Sequence, residues 1–177
     1  VKLIAEAKKK GLDVSCSVAI HNLVFTDTKL EEFDTNYKVM PPLRTQKDVT
    51  ALIKGVRNGN VDFVTSDHYP IDIEQKRVEF DNAAYGTIGL ESAFGILNTI
   101  FDTETTISLL TKGRKRYELE VPKLLEGEKA CLTLFEKTGD STFTVEDIQS
   151  TSKNSIALKE KTKGKCIGSI NNNMLII

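Results

Sequence analysis

Two short patterns in this chain of 177 residues carry side chains that can do chemistry. One is the run 61–70, VDFVTSDHYP, which is apolar until it closes on Asp67 and His68. A carboxylate held where a buried strand opens to solvent can ligate a metal or act as a general base. The same position also suits a helix cap or a loop salt bridge, and spacing alone leaves both readings open. The other is the run 13–22, DVSCSVAIHN, in which a Val- and Ile-containing stretch ends on His21 and Asn22. A histidine there is a ligand or a hydrogen-bonded packing residue. The chain has two histidines in all. A catalytic metal site usually draws on three protein ligands, so two histidines and one placed aspartate do not make a self-contained centre.

The elements that must hold these residues follow from periodicity. Residues 13–20 and 61–66 read as short buried strands, and the expectation is that they lie parallel with Asp67 at the carboxyl end of the second. Val1, Leu3, Ile4 and Ala7 share a helical face, and Gly11 is a natural stop. Asp27-Thr-Lys-Leu-Glu-Glu-Phe33 predicts a second helix capped by Thr26 or Asp27. Pro41 and Pro42 then break regular structure. Thr45 with Asp48 three residues on forms a variant capping box for a helix ending near Gly59. A polar connection follows at 74–85. A helix is predicted over 87–101 from the spacing of Leu90, Phe94, Leu97 and Phe101, with another over 105–113. Helices alternating with strands whose ends carry polar residues are the mark of βα units in a parallel sheet. From about Gly113 the composition turns to short β-prone pieces (129–137, 140–147, 164–170 and 173–177) separated by Gly, Asn and Asp.

The remaining groups carry less. Lys8, Lys9 and Lys10 sit where a helix ends and offset its dipole. Arg114, Lys115 and Arg116 read as a solvated loop, and Cys16, between two serines in a strand, as a small packing residue. The 24 basic and 25 acidic residues give a net charge of −1, which excludes a generally basic nucleic-acid binder. No apolar run approaches the roughly 18 residues of a membrane span. Cys16, Cys131 and Cys166 are odd in number and form no CxxC pair, so neither a disulfide framework nor a zinc ribbon is indicated, and a reducing cytoplasm is the expected setting. The chain opens on Val1 inside a helical pattern without a cap, which reads as a piece of something longer.

In order, His21-Asn22-Leu23, Lys38-Val-Met-Pro-Pro-Leu-Arg44, Ser66-Asp-His-Tyr-Pro70 and Gly86-Thr-Ile-Gly-Leu-Glu91 resemble the C-terminal part of dihydroorotases, of the amidohydrolase superfamily. The tail adds the strand 127–135, Thr144 to Asp147, Ser152-Lys-Asn154 and the final 164–172. The Pro-Pro-Leu-Arg element followed by Ser-Asp-His is specific in combination, and the likeness covers nearly all of the chain.

That resemblance implies an α/β fold: the last βα units of a (β/α)8 barrel (residues 1–112), then strands of a small β-sandwich (113–177) completed by N-terminal residues of the same protein. It implies a zinc centre at the barrel mouth, with Asp67 in the place of the aspartate that takes and returns a proton, or that ligates metal if upstream ligands exist. This chain alone is expected to hold no catalytic zinc. The matched substrate positions depart from the family pattern. Met40 stands for the usual Asn before Pro-Pro, Ile71 for a His that contacts the substrate carboxylate, Asn22 for the second His of a pair, and Ala84 for the Pro before the aromatic–Gly pair that ends in Gly86. Losing one polar contact to a bound anion costs about 2–4 kcal/mol, so two together are severe. The resemblance therefore points to a degenerate, non-catalytic homologue that supports aspartate transcarbamoylase; the alternatives are part of an active zinc dihydroorotase and a different cyclic-amide hydrolase. The expected partners are the N-terminal part of the same protein, a second copy of the chain, or aspartate transcarbamoylase, with neither nucleic acid nor membrane.

Overall fold

The computed structural model describes residues 1–171 and 174–177. Helix α1 (Lys2–Lys9) leads to strand β1 (Ser17–Ala19), helix α2 (Gln46–Arg57) to strand β2 (Phe63–Thr65), and β1 pairs with β2 in parallel, Val18 opposite Val64. The expected parallel pair is present, shorter at both ends than its apolar runs. Between β2 and the tail come α3 (Ile73–Lys76), α4 (Ala93–Ile100), α5 (Thr103–Thr111) and α6 (Gly113–Arg116).

Local chemistry sets the helix ends. The Thr45 hydroxyl accepts the Asp48 amide at the start of α2 and donates back to the Asp48 carboxylate, so the box closes through the hydroxyl and not through the Thr45 amide. Asp102 caps α5 by accepting the amide and hydroxyl of Thr105. Leu3 is 81% exposed and α1 buries no residue, so its apolar face is not a core face here.

Two helices differ from expectation. Asp27–Leu30 is a single 3-10 turn following Thr26, whose hydroxyl bonds Thr28 and caps nothing. The helix expected from residue 87 begins only at Ala93. Residues 87–92 are held instead by distant partners: Thr87 bridges His68 in parallel, and Ile88 donates its amide to the Asn154 carbonyl. These tertiary contacts override the helical spacing, and Leu90 is exposed.

The tail is a three-stranded antiparallel sheet of β3 (Cys131–Thr142), β4 (Lys161–Asn171) and β5 (Met174–Ile176). The pieces expected at 129–137 and 140–147 join in one irregular strand, and Val145–Asp147 is a 3-10 turn under a Thr144–Asp147 capping box. Residues 172 and 173, at the ends of two expected pieces, lie outside the described residues. Buried Asn98 fixes α4 to this sheet by donating to the carbonyls of Lys137 and Lys163.

The main core joins both halves of the sequence. Val18, Ile20, Val64, Ile88 and Leu97 pack with Phe143, Ile148 and Ala157. A smaller cluster of Phe25, Val39, Leu43 and Ile156 lies under the loops that leave β1. No helix among the described residues is long and apolar enough to cross a membrane.

Candidate functional site

The carboxyl ends of β1 and β2 lie side by side, and each hands its chain to a loop bearing one reactive group. After β1 a 3-10 turn (Ile20–Leu23) buries the His21 imidazole to 3% exposure. After β2 the backbone enters the left-handed region at Asp67 (φ +48°), a conformation Asp tolerates better than most residues. That turn leaves the carboxylate exposed, with Oδ2 3.9 Å from His21 Nε2. The gap is too long for a hydrogen bond, and among the described residues Nε2 has no hydrogen-bond partner. Burial pushes the His21 pKa below its ordinary value, with the Asp67 charge opposing more weakly, so the imidazole is neutral and keeps a lone pair.

His68 does something else. Its Nδ1 accepts the amides of Gly89 and Leu90 at 3.2 and 3.3 Å, pinning that loop beside Asp67. Gly89 is required there, because a Cβ would stand 2.5 Å from the Ser66 carbonyl oxygen.

Asp67, Met40, Tyr69, Tyr85 and Gly86 line an open cleft of about 300 Å³. Of the residues singled out from the sequence, Asp67, Met40 and Gly86 thus come together. Ile71 is buried beneath, its Cγ1 3.2 Å from the point where a Cβ on Gly86 would stand. Ala84 is not part of the cleft lining and offers its carbonyl to Lys76 Nζ. Asn22 is half-buried with Oδ1 unpartnered.

Two lysines that no spacing in the sequence marks hold this cleft in shape. Lys76 is 3% exposed, and its ammonium donates to the carbonyls of Thr35, Ala84 and Lys38. Lys38 reaches the other way to the carbonyls of Phe80 and Asp81 and lies 4.8 Å from the Tyr85 ring centroid. The two lysines clasp the loops at 35–38 and 80–86. Burial first, then repulsion from Lys38, lowers the Lys76 pKa to about 8, against a smaller opposing effect of Asp34. The far wall is stitched by Asn154, whose Oδ1 accepts the Ile71 amide and whose Nδ2 donates to Tyr69 and Gly86 carbonyls. Glu91 accepts both the amide and the hydroxyl of Ser150; these bonds outweigh its burial and hold its pKa below the usual value. The tail motif around Asn154 is therefore part of the mouth.

Among the described residues no three His, Cys, Asp or Glu side chains converge. His21 Nε2, orphaned and neutral, and the Asp67 carboxylate are donors of the right chemistry for a borderline-soft divalent ion, but they are two where three or four are needed.

No family model matches the chain. Among curated proteins, the dihydroorotase of Caldicellulosiruptor saccharolyticus is 41% identical over 165 residues, covering 89% of this chain and 38% of that protein. Among solved structures, the L-hydantoinase (dihydropyrimidinase) from Arthrobacter aurescens superposes with a TM-score of 0.88 at 22% identity, covering 99% of this chain and 42% of its own. The inactive dihydroorotase-like domain of the Chaetomium thermophilum CAD-like multifunctional protein gives a TM-score of 0.67 at 17% identity, covering 98% of this chain and 47% of its own. The chain thus spans about two-fifths of the length of the curated relative. Its fold is α/β, matching the C-terminal part of amidohydrolase barrels.

Proposed function

From a chain that belongs with the dihydroorotases of the amidohydrolase family, matching their C-terminal part, we propose a cyclic-amide site that has kept its proton-handling aspartate and lost its means of binding the substrate carboxylate. The observation that carries this is the cleft lining. Met40 occupies it with a thioether, Ile71 lies buried below it, and among the described residues no cationic side chain lines it. The two nearest ammonium groups, on Lys38 and Lys76, are each occupied by backbone carbonyls. An anionic substrate would meet Asp67 and find no compensating charge.

In this reading the protein does not open the dihydroorotate ring. It is a non-catalytic homologue in the cytoplasm that acts through its surfaces, supporting aspartate transcarbamoylase; a solved domain of this fold is itself described as inactive. Co-sedimentation with aspartate transcarbamoylase tests the partner. A ring-opening assay on dihydroorotate, with zinc supplied and bound metal measured, tests the activity. The expected result is no turnover, and measurable turnover with stoichiometric zinc overturns the proposal.

His21 favours a second reading, part of an active zinc enzyme. A buried imidazole with an unpartnered Nε2 facing Asp67 is costly to keep for packing alone. His21 Nε2 and the Asp67 carboxylate would then contribute to holding zinc, with the other donors lying outside this chain. When bound, zinc supplies an activated water and polarises the amide carbonyl. Asp67 would take a proton on its exposed carboxylate and return it to the leaving ring nitrogen as the C–N bond breaks.

A further inference from the structure

We infer that Lys76 is a proton-operated clasp on the cleft: its ammonium holds the Met40 side to the Tyr85–Gly86 side, and loss of its proton lets the two walls part. This holds whatever occupies the cleft. Lys76 ends α3 and is 3% exposed, enclosed by loops of this chain. Its Nζ donates to the carbonyls of Thr35 at 2.7 Å, Ala84 at 3.0 Å and Lys38 at 3.5 Å. Thr35 and Lys38 lie in the segment that runs on to Met40, and Ala84 precedes Tyr85 and Gly86, so one side chain spans both walls. The Gly86 amide donates across the same gap to the Lys38 carbonyl at 3.0 Å.

The clasp depends on the proton because donors and acceptors match only when it is bound. An ammonium has three N–H donors and here meets three carbonyls; a neutral amine has two donors and a lone pair that repels the third carbonyl. The bond to Lys38 is the longest and goes first, and its acceptor keeps the Gly86 amide, so no buried group is stranded. The bonds to Thr35 and Ala84 lose their charge assistance in the same step. The surroundings favour proton loss. Among the described residues no carboxylate lies within ion-pair distance of Lys76. The charged and titratable groups on the elements around it are Asp34 and Lys38 from one loop, Asp81 and Tyr85 from the other, Asp72, Glu74 and Arg77 on or beside α3, and Lys153 from the tail. Burial first and Lys38 second lower the Lys76 pKa to about 8, and Asp34 opposes them more weakly. Proton loss also removes a buried charge, so global stability rises while the clasp loosens, and the two effects are separable by measurement.

The test follows 13C-labelled methionine methyls and lysine Cε carbons by NMR from about pH 6 to about pH 10, which brackets the ordinary and lowered lysine values. Met40 and Met174 are the two methionines of the chain, so Met40 reports the cleft wall and Met174, in the tail sheet, is the control. One lysine Cε should titrate with its midpoint near pH 8 and be absent from Lys76→Arg. The Met40 methyl should shift along the same curve and its order parameter should fall, while Met174 stays flat. Lys76→Arg keeps its charge over this range and should hold Met40 in its low-pH state throughout. Tyr85→Phe, which removes a phenol from the lining, should leave the response in place. A Met40 methyl that stays flat while Lys76 titrates overturns the clasp. So does a Lys76 that stays charged to the top of the range, or a Met40 response that persists in Lys76→Arg. If that variant does not fold, the coincidence or divergence of the Met40 and Lys76 curves in the unmodified protein decides.

Discussion

Replacing Asn154 by Ala should cost about 2–4 kcal/mol of stability and open the cleft wall. Asn154 is 2% exposed and ties two loops that no strand joins. Its Oδ1 accepts the Ile71 amide at 3.2 Å, and its Nδ2 reaches the Tyr69 and Gly86 carbonyls at 3.4 Å each. Truncation strands the Ile71 N–H in a buried setting, which costs about 1–3 kcal/mol. The two longer bonds run to carbonyls beside the open cleft, where water can replace them, and each contributes about 0.5 kcal/mol. Urea denaturation at fixed protein concentration measures the sum, and hydrogen exchange at the Ile71 amide reads the local opening. Asn82→Ala, on an exposed loop, is the control and should stay within about 0.5 kcal/mol of the parent. An Asn154→Ala protein that loses less than about 0.5 kcal/mol and still protects the Ile71 amide would refute the stitch.

Other outcomes follow from the same contacts. Lys76 gives up its proton near pH 8 in the folded chain and near 10.5 when unfolded, so the unfolded state binds more protons between those values and stability should rise with pH there. The slope approaches about 1.4 kcal/mol per pH unit and is absent below pH 8; Lys76→Met should flatten it, and an unchanged slope contradicts the buried-ammonium account. Gly95→Ala places a Cβ 2.8 Å from the Thr162 Cβ, so α4 must move off β4 at a cost of about 1–3 kcal/mol, read as a lowered urea midpoint. Strands β1 and β2 pair only with each other among the described residues, leaving unpaired outer edges. Sedimentation of the 177-residue chain should therefore show species heavier than 19.7 kDa, and a compact monomer with a cooperative thermal transition is the contrary result.

What the sequence discloses, and what it hides, divides along the range of the interactions. The parallel strands were legible because branched apolar runs that end on polar residues are a local signal, and Asp67 closes one of them. The α2 start was legible for the same reason, since Thr45 and Asp48 stand three residues apart. The Leu90–Phe94–Leu97 spacing is helical and places the start of α4 too early, whereas Thr87 and Ile88 are claimed by residues 154–156, more than sixty positions away. Lys76 is invisible in a polar stretch, since its three carbonyl partners come from two distant loops, Thr35 and Lys38 on one and Ala84 on the other, and no side-chain pattern announces a carbonyl. The site is half legible: Asp67, Met40 and Gly86 meet in the cleft, whereas Tyr69 and Tyr85, which also line it, are aromatic residues in loops with no spacing that marks them.

The proposed function stands or falls on the loss of carboxylate recognition at this mouth. Isothermal titration of dihydroorotate into the unmodified chain tests it most directly, with Met40→Asn/Ile71→His as the variant that regains two polar groups at the matched positions. The account predicts no saturable binding below about 1 mM for the unmodified chain, a binding free energy weaker than roughly −4 kcal/mol. Saturable binding of dihydroorotate by the unmodified chain in the micromolar range would contradict it.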